Sequence, residues 1–293
     1  MIGQGSFATV HKAKELSSGR DVALKIVRPE SDLNLGDPSI ASAGIEYKDV
    51  LRAMKLEVQY VEALGSHPNI VKILGTAEGC KVFVMERAVT DLCALIKDQP
   101  CLPLHTVKHW TKHVLSAVRY MHDVGVVHLD IKSSNILIFS DRTAKMCDFG
   151  LARKGRGNMP VDRELITLWY RAPELIMGDT YYSPKVDEWG VGCVVLEMLI
   201  GTAPFKGKPE CICSCDNVLH HNFNSDQLMK IFLTLGTPQD KALISRMSCT
   251  CHFAKWPLFP RKLDAMVRSA SFRPPALMKM GRPVTHFQAS LFC

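Results

Sequence analysis

Between residues 126 and 138 the chain reads VVHLDIKSSNILI: His128, Asp130, Lys132 and Asn135 are enclosed by strand-like runs of Val, Ile and Leu. Polar groups between apolar walls must find partners or serve a chemistry, because burying them unpaired is costly. The run continues through ILI to KMCDFG, so a second carboxylate, Asp148, follows soon after. Oxygen donors such as Asn135 and Asp148 suit Mg²⁺, which carries phosphates, and Asp130 is left to take a proton from a hydroxyl. Taken singly, turn-forming Asp and Asn residues explain the run about as well.

The residues before this run set out an α+β chain. GSFATVHKAKEL alternates in strand fashion, turns at SSGR and returns as DVALKIV, a twisted hairpin. Gly3 and Gly5 at its first bend let backbone N–H groups approach a phosphate, although a plain turn explains the pair as often. Ala8 replaces the third glycine of G-x-G-x-x-G, and no helix opens directly afterwards, which disfavours a Rossmann unit. Residues 29–44 read as a long loop. In KDVLRAMKLEVQYVEALG, Met54, Val58, Val61 and Leu64 recur at helical spacing with Glu57 on the same face. An inward Glu needs a cation, and Lys25 in VALKIV is the natural partner. Strands follow at IVKILG and KVFVMER, then a helix with Val107, Trp110, Val114, Val118 and Met121 inward. A small sheet-rich part, residues 1–90, thus precedes a larger helical part, residues 91–293.

Composition narrows the classes. A chain of 293 residues, 47% hydrophobic, can bury a sizeable core. Its formal charge of +7 is scattered, RKGRG at 153–157 being the densest cluster, so no nucleic-acid arm is expected. WGVGCVVLEMLIG is too short to span a bilayer and contains Glu197, which argues against a membrane segment. MIGQGSFATV has no basic segment followed by an apolar one, so no signal peptide is expected. Eleven cysteines are then most simply reduced thiols in a cytoplasmic or nuclear protein.

Jointly, GQGSFATV, VALK, inward Glu57, HLDIKSSN, DFG and APE stand in the order of the protein-kinase signature set. From the first glycine loop to about residue 205 the sequence resembles a eukaryotic Ser/Thr protein kinase. TLWYRAPEL, YYSPKVDEWGVGCVVLEML and DQLMKIFLTLGTP are similar to the cyclin-dependent-kinase branch of the group that also holds the MAP kinases. The resemblance implies a bilobal fold, ATP and Mg²⁺ as cofactors, and transfer of the γ-phosphate to protein Ser or Thr. It implies that Lys25 holds the α- and β-phosphates and pairs with Glu57, that Asp130 is the catalytic base, and that Lys132 steadies the γ-phosphate. Asn135 and Asp148 would bind Mg²⁺. Ile2, Gly3, Gly5, Val10, Ala23, Met85 and Leu137 would surround the nucleotide, Glu86 and Ala88 would offer hinge hydrogen bonds, and Asp91 would touch the ribose. Thr167 resembles the residue that bonds the catalytic Asp in Ser/Thr kinases. Ile166 and Arg171 match a branch preferring Pro just after the acceptor, where a next residue without an N–H leaves none unpaired.

Several positions depart from that pattern. Leu129 stands where most of these kinases carry Arg; Asp162 takes the position of the activating phosphothreonine, and of three phosphate-holding arginines only Arg153 remains, Leu56 and Leu129 replacing the others. The changes fit together, because one carboxylate pairs with fewer cations than a phosphate. A kinase not switched by phosphorylation there is expected; the alternative is a catalytically impaired scaffold. Ser6-Phe7 replaces the inhibitory Thr-Tyr pair, and the helix motif of the best-known cyclin-binding members is missing, so a cyclin-like activator is an open expectation. The chain starts inside the first strand, and KPECICSCDNVLHHNFN reads as an insertion near 208–224. Its Cys211, Cys213, Cys215, His220 and His221 lack the usual C-x₂-C zinc spacing, so a loop of free thiols is expected, and likewise for Cys249, Cys251 and His252. Beyond FAKWPLFP the resemblance fades into a degenerate end, in which Arg282 is a candidate partner for Glu174.

Overall fold

Alternation over ATVHKAK and DVALKIV builds two antiparallel strands, β2 (Ala8–Lys14) and β3 (Asp21–Val27), in the computed structural model of the chain. The structure describes residues 1–5, 7–32, 46–100, 102–158, 167–179, 181–213, 220, 223–245, 247–249 and 256–271. With β1 (Gly3–Gln4), β4 (Ile73–Ala77) and β5 (Val82–Glu86), they form a five-stranded sheet in the order β1-β2-β3-β5-β4. Val10 lies opposite Lys25, Lys25 opposite Phe83 and Ala23 opposite Met85. Since side chains alternate along a strand and registered partners share a face, Val10, Ala23, Lys25, Phe83 and Met85 line one face of this sheet.

Helix α1 (Tyr47–Leu64) starts at a capping box between Glu46 and Asp49 and stops at Gly65, whose φ of 67° suits glycine. Its apolar stripe packs Val50, Met54 and Val58 on Val27 and Phe83 of the sheet. Glu57 is buried on that same stripe, at 1% exposure.

Past β5 the chain crosses within a few residues to β6 (Thr90–Asp91), which pairs with β8 (Ile136–Ile138), itself paired with β9 (Ala144–Met146). Between these lie α2 (Leu92–Asp98), α3 (Leu104–Asp123) and β7 (Val126–Val127). β10 (Arg153–Lys154) pairs with β7, and β11 (Gly157–Asn158) pairs with β12 (Tyr181–Tyr182), which follows the short α4 (Pro173–Ile176). The apolar run foreseen as a buried helix is α5 (Lys185–Ile200); it packs along α3 and ends at Gly201, φ 79°. There is no room for a side chain at Gly190, because a Cβ would lie 2.9 Å from that of Ile131 in the polar run. Among the described residues no helix is long and apolar enough to cross a membrane.

The DQLMKIFLTL stretch forms α6 (Ser225–Leu235), capped by Asn224, whose side chain accepts the Gln227 N–H at 2.9 Å. Two shorter helices follow, α7 (Lys241–Ile244) and α8 (Leu263–Ser271), the latter against α5 and α6. Ser6, Asp162, Ile166, Cys215, His221, Cys251, His252 and Arg282 lie outside the described residues.

Candidate active site

The foreseen pairing of Lys25 and Glu57 is present: Lys25 Nζ lies 2.6 Å from Glu57 Oε2 and 3.1 Å from Asp148 Oδ1. The ammonium also lies 5.7 Å from the centre of the Phe83 ring. Burial works against the Lys25 charge, yet the Asp148 and Glu57 carboxylates outweigh it and hold the ammonium well above its usual range. Glu57 is pushed up to about 7 by burial, against the pull of Lys25. Burial also acts to raise Asp148, but Lys25 and Lys132 overcome it and bring the carboxyl down to about 2. Asp148 adopts a left-handed φ of 64°, and its side chain keeps 44% of its surface open, so it is the member of this trio that faces outward.

The second group comes from the polar run. Lys132 Nζ sits 2.8 Å from Asp130 Oδ2 and donates to Thr167 Oγ1 at 2.8 Å. Thr167 in turn donates its hydroxyl to Asp130 Oδ1 at 3.3 Å. Asn135 donates its amide to the Asp130 main-chain oxygen at 2.9 Å and to Oδ2 at 3.1 Å. The one-turn helix Ser133–Asn135 swings Asn135 back over Asp130, which is how a donor and an acceptor five residues apart come within hydrogen-bond reach. Sequence reasoning placed these four side chains together, and the structure does the same.

Supports that sequence reasoning missed lie behind this loop. Asp187, 1% exposed in the first turn of α5, accepts the His128 N–H at 2.8 Å and the Leu129 N–H at 2.9 Å, and its Oδ2 is 2.8 Å from His122 Nε2. His128 accepts the Asp130 N–H on Nδ1 (3.3 Å), lies 3.1 Å from the Cys147 oxygen through Nε2, and packs on Phe149 at 4.9 Å between ring centres. Asp187 gave little sign in the sequence, since it stands between Lys185 and Glu188 in the polar first turn of the helix, where a carboxylate ordinarily faces solvent. A buried trio adds a further tie: Ser133 and Tyr170 donate to Glu197 at 3.0 and 2.7 Å, joining the loop and the residues after Thr167 to α5. Burial raises the Glu197 carboxyl, and those two donors pull it back.

The residues assigned to the nucleotide border the same space. Ile2 and Gly5 donate their N–H groups to Val10 and Ala8 at 2.7 Å each, and Gly3 pairs with Val10, so the glycines form a hairpin at the edge of the sheet beside Val10. Ala23 and Met85 stand side by side on that face; Leu137 lies in β8 opposite Asp91. Asp91 is partly committed, since Oδ1 accepts the Ala94 N–H at 2.8 Å and caps α2. Ala88 makes no main-chain hydrogen bond among the described residues, which leaves its peptide groups available.

Leu129 is buried at 5% exposure among Val127, Ala172, Leu175, Tyr182 and Val186. Its φ of 66° is uncommon for a branched side chain, and the Asp187 bond to its N–H holds it there. Leu56 is half-buried on α1. In the insertion, Cys213 Sγ lies 3.8 Å from His220 Nδ1, while among the described residues no three His, Cys, Asp or Glu side chains are grouped to hold a metal ion.

Residues 1–253 match the protein kinase domain family. The chain is 35% identical over 250 residues to cyclin-dependent kinase 4 of Xenopus laevis, covering 82% of this chain and 70% of that protein. To cyclin-dependent kinase 14 of Homo sapiens it is 36% identical over 244 residues, covering 82% of this chain and 46% of that protein. It therefore spans about half the length of the cyclin-dependent kinase 14 relatives it matches. Among solved structures it is similar, at TM-score 0.69 and 28% identity over 92% of this chain and 83% of the other, to a chain of the yeast RNA Pol II CTD kinase CTDK-1 complex.

Proposed function

The chain belongs to the protein kinase family, as a cyclin-dependent-kinase-like Ser/Thr kinase, and from that premise we propose how its residues divide the work. Lys25, held by Glu57, takes the α- and β-phosphates of ATP. Asp130 receives the hydroxyl hydrogen of a protein Ser or Thr, and Lys132 offsets charge on the γ-phosphate as it moves. The observation that carries this reading is the closed set Asp130, Lys132, Asn135 and Thr167: donors occupy both oxygens of Asp130, so a substrate hydroxyl meets a carboxylate already fixed in position.

The donor chemistry fits Mg²⁺. Asn135 turns its amide nitrogen to Asp130 and thereby leaves its oxygen as a neutral donor, and Asp148 presents an outward carboxylate. Such hard oxygen donors suit this ion, which Asn135 and Asp148 would hold and which would supply positive charge to offset that of the phosphates. Val10, Ala23, Met85 and Leu137 form the apolar slot for adenine, with Glu86 and Ala88 main-chain groups beside it. Thr167 on Asp130 supports Ser/Thr acceptors, Ile166 and Arg171 support a following proline, and the kinship with cyclin-dependent kinases supports a cyclin-type partner.

Transfer from radiolabelled ATP to a Ser/Thr-Pro peptide library, with Mg²⁺, tests the assignment against Lys25→Met. Transfer lost on substitution is expected; folded protein that transfers nothing refutes the enzyme and returns the scaffold.

A further inference from the structure

We propose that Lys145 is a positioning residue for nucleotide binding: its ion pair with Glu86 fixes the short connection between the sheet and the helical part, from which the base is held. The inference rests on the kinase reading of the site. Lys145 Nζ meets both Glu86 oxygens, at 2.8 and 2.7 Å, with the two side chains 18% and 25% exposed. The ammonium also sits 4.6 Å from the centre of the Phe139 ring. On its other side Glu86 is closed to Lys72, whose N–H reaches Oε1 at 2.8 Å while the Glu86 N–H reaches the Lys72 oxygen at 3.2 Å.

The connection is pinned at each step. Arg87 Nη1 lies 3.0 Å from Asp21 Oδ2 at the start of β3, and the Val89 N–H reaches the Ile138 oxygen of β8 at 2.8 Å. Glu86 is thus tied to β9, Arg87 to β3 and Val89 to β8, with Ala88 between them. Of these ties only Glu86–Lys145 joins side chains of the two parts. Without Lys145 a shielded carboxylate loses its cation, and only the Lys72 main chain and the pairing with Val22 still hold residue 86, so the connection after it is less firmly fixed. The base must then order residues 86–88 as it binds, which weakens affinity. Lys25, Asp130 and Asn135 stand on other elements, so phosphoryl transfer from bound nucleotide is affected less.

Calorimetric affinity for Mg²⁺·ADP, with the full chain as Lys145→Met, Lys145→Arg, Glu86→Gln and the double Glu86→Gln/Lys145→Met, tests this. The Met and Gln variants are expected to bind about five-fold more weakly, as a partly shielded pair implies. Lys145→Arg should return affinity to within about two-fold of the original, and the double variant should be no weaker than the weaker single one. KM for ATP should rise in parallel while kcat moves less. Unchanged affinity in Lys145→Met, no rescue by Arg, or additive losses in the double variant overturn the proposal. ADP binding is read without transfer, so protein that binds ADP but moves no phosphate refutes the kinase reading while this test still decides its own question.

Discussion

Replacing Leu129 with Ala probes whether apolar contact, in place of a phosphate held by arginines, secures the segment after Asp148. Leu129 is 5% exposed and touches a cluster drawn from β7, α4, β12 and α5. Truncating a buried Leu costs about 2–5 kcal/mol, and about 3 kcal/mol suits a cluster of this size. The left-handed φ adds about 1–2 kcal/mol of strain that Ala retains, since it too has a Cβ. Glycine would relieve that strain but lose more chain entropy, so Leu129→Gly should fall within about 1 kcal/mol of Leu129→Ala. At about 2–4 °C per kcal/mol for a domain of roughly this length, Tm should drop by about 6–12 °C. Calorimetric unfolding reads the drop, and transfer assays on phosphatase-treated protein read the functional half, where undiminished activity is expected before any substitution. A Tm change under about 2 °C, or activity abolished by phosphatase, refutes the reasoning.

Asp187→Asn keeps the shape but offers one acceptor oxygen where two N–H groups and His122 now converge, so a buried N–H loses its partner at a cost of about 1–3 kcal/mol. A fall in kcat larger than any change in KM for ATP is expected; equal kcat would show that Asp187 does not shape the loop. For Asp148, the folded carboxyl at about 2 lies below its ordinary value of 3.8, so its contribution is present above the unfolded value and lost as pH falls through the folded one. The difference in urea-unfolding free energy between the unmodified chain and Asp148→Asn should hold above about pH 4 and close toward about pH 2. A difference constant down to that pH would contradict the assignment.

What the sequence disclosed followed from short-range pattern. Glu57 sits three residues after Met54 on an apolar stripe, and a buried carboxylate demands a cation, so its pairing with Lys25 could be foreseen across 32 positions. Asp130, Lys132 and Asn135 fall together in one compact polar run, whereas the bond from Thr167 to Asp130 was foreseen only through the resemblance to Ser/Thr kinases. The roles of Asp187 and Glu197 were not legible, for a physical reason. Asp187 accepts from the main chain of His128 and Leu129, and hydrogen bonds to a backbone leave no trace in the partner's residue type; Glu197 accepts from the Ser133 and Tyr170 hydroxyls, which lie 64 and 27 positions away with no pattern to link them. The Glu86–Lys145 pair was hidden similarly: Glu86 was read for its peptide group, and nothing in KMCDFG says that Lys145 faces the connection.

These contacts also explain why Leu129 and an intact site can coexist. The position of Asp130 depends on main-chain bonds from His128 and Leu129 to Asp187 and on side-chain bonds from Lys132, Asn135 and Thr167. None of these uses the side chain of residue 129. That side chain points instead into the cluster shared with Ala172, Leu175 and Tyr182, and Tyr182 reaches the Lys154 oxygen through its hydroxyl at 3.3 Å. An Arg placed there would carry a charge into an apolar pocket and need an anion to offset it, whereas Leu needs none. Leu129 therefore leaves the backbone that aims Asp130 in place, and whether the segment needs a phosphate is what the phosphatase-treated assay decides. That separation predicts that damage at Leu129 acts through the stability of the segment, and damage at Asp187 through the geometry of the chemistry.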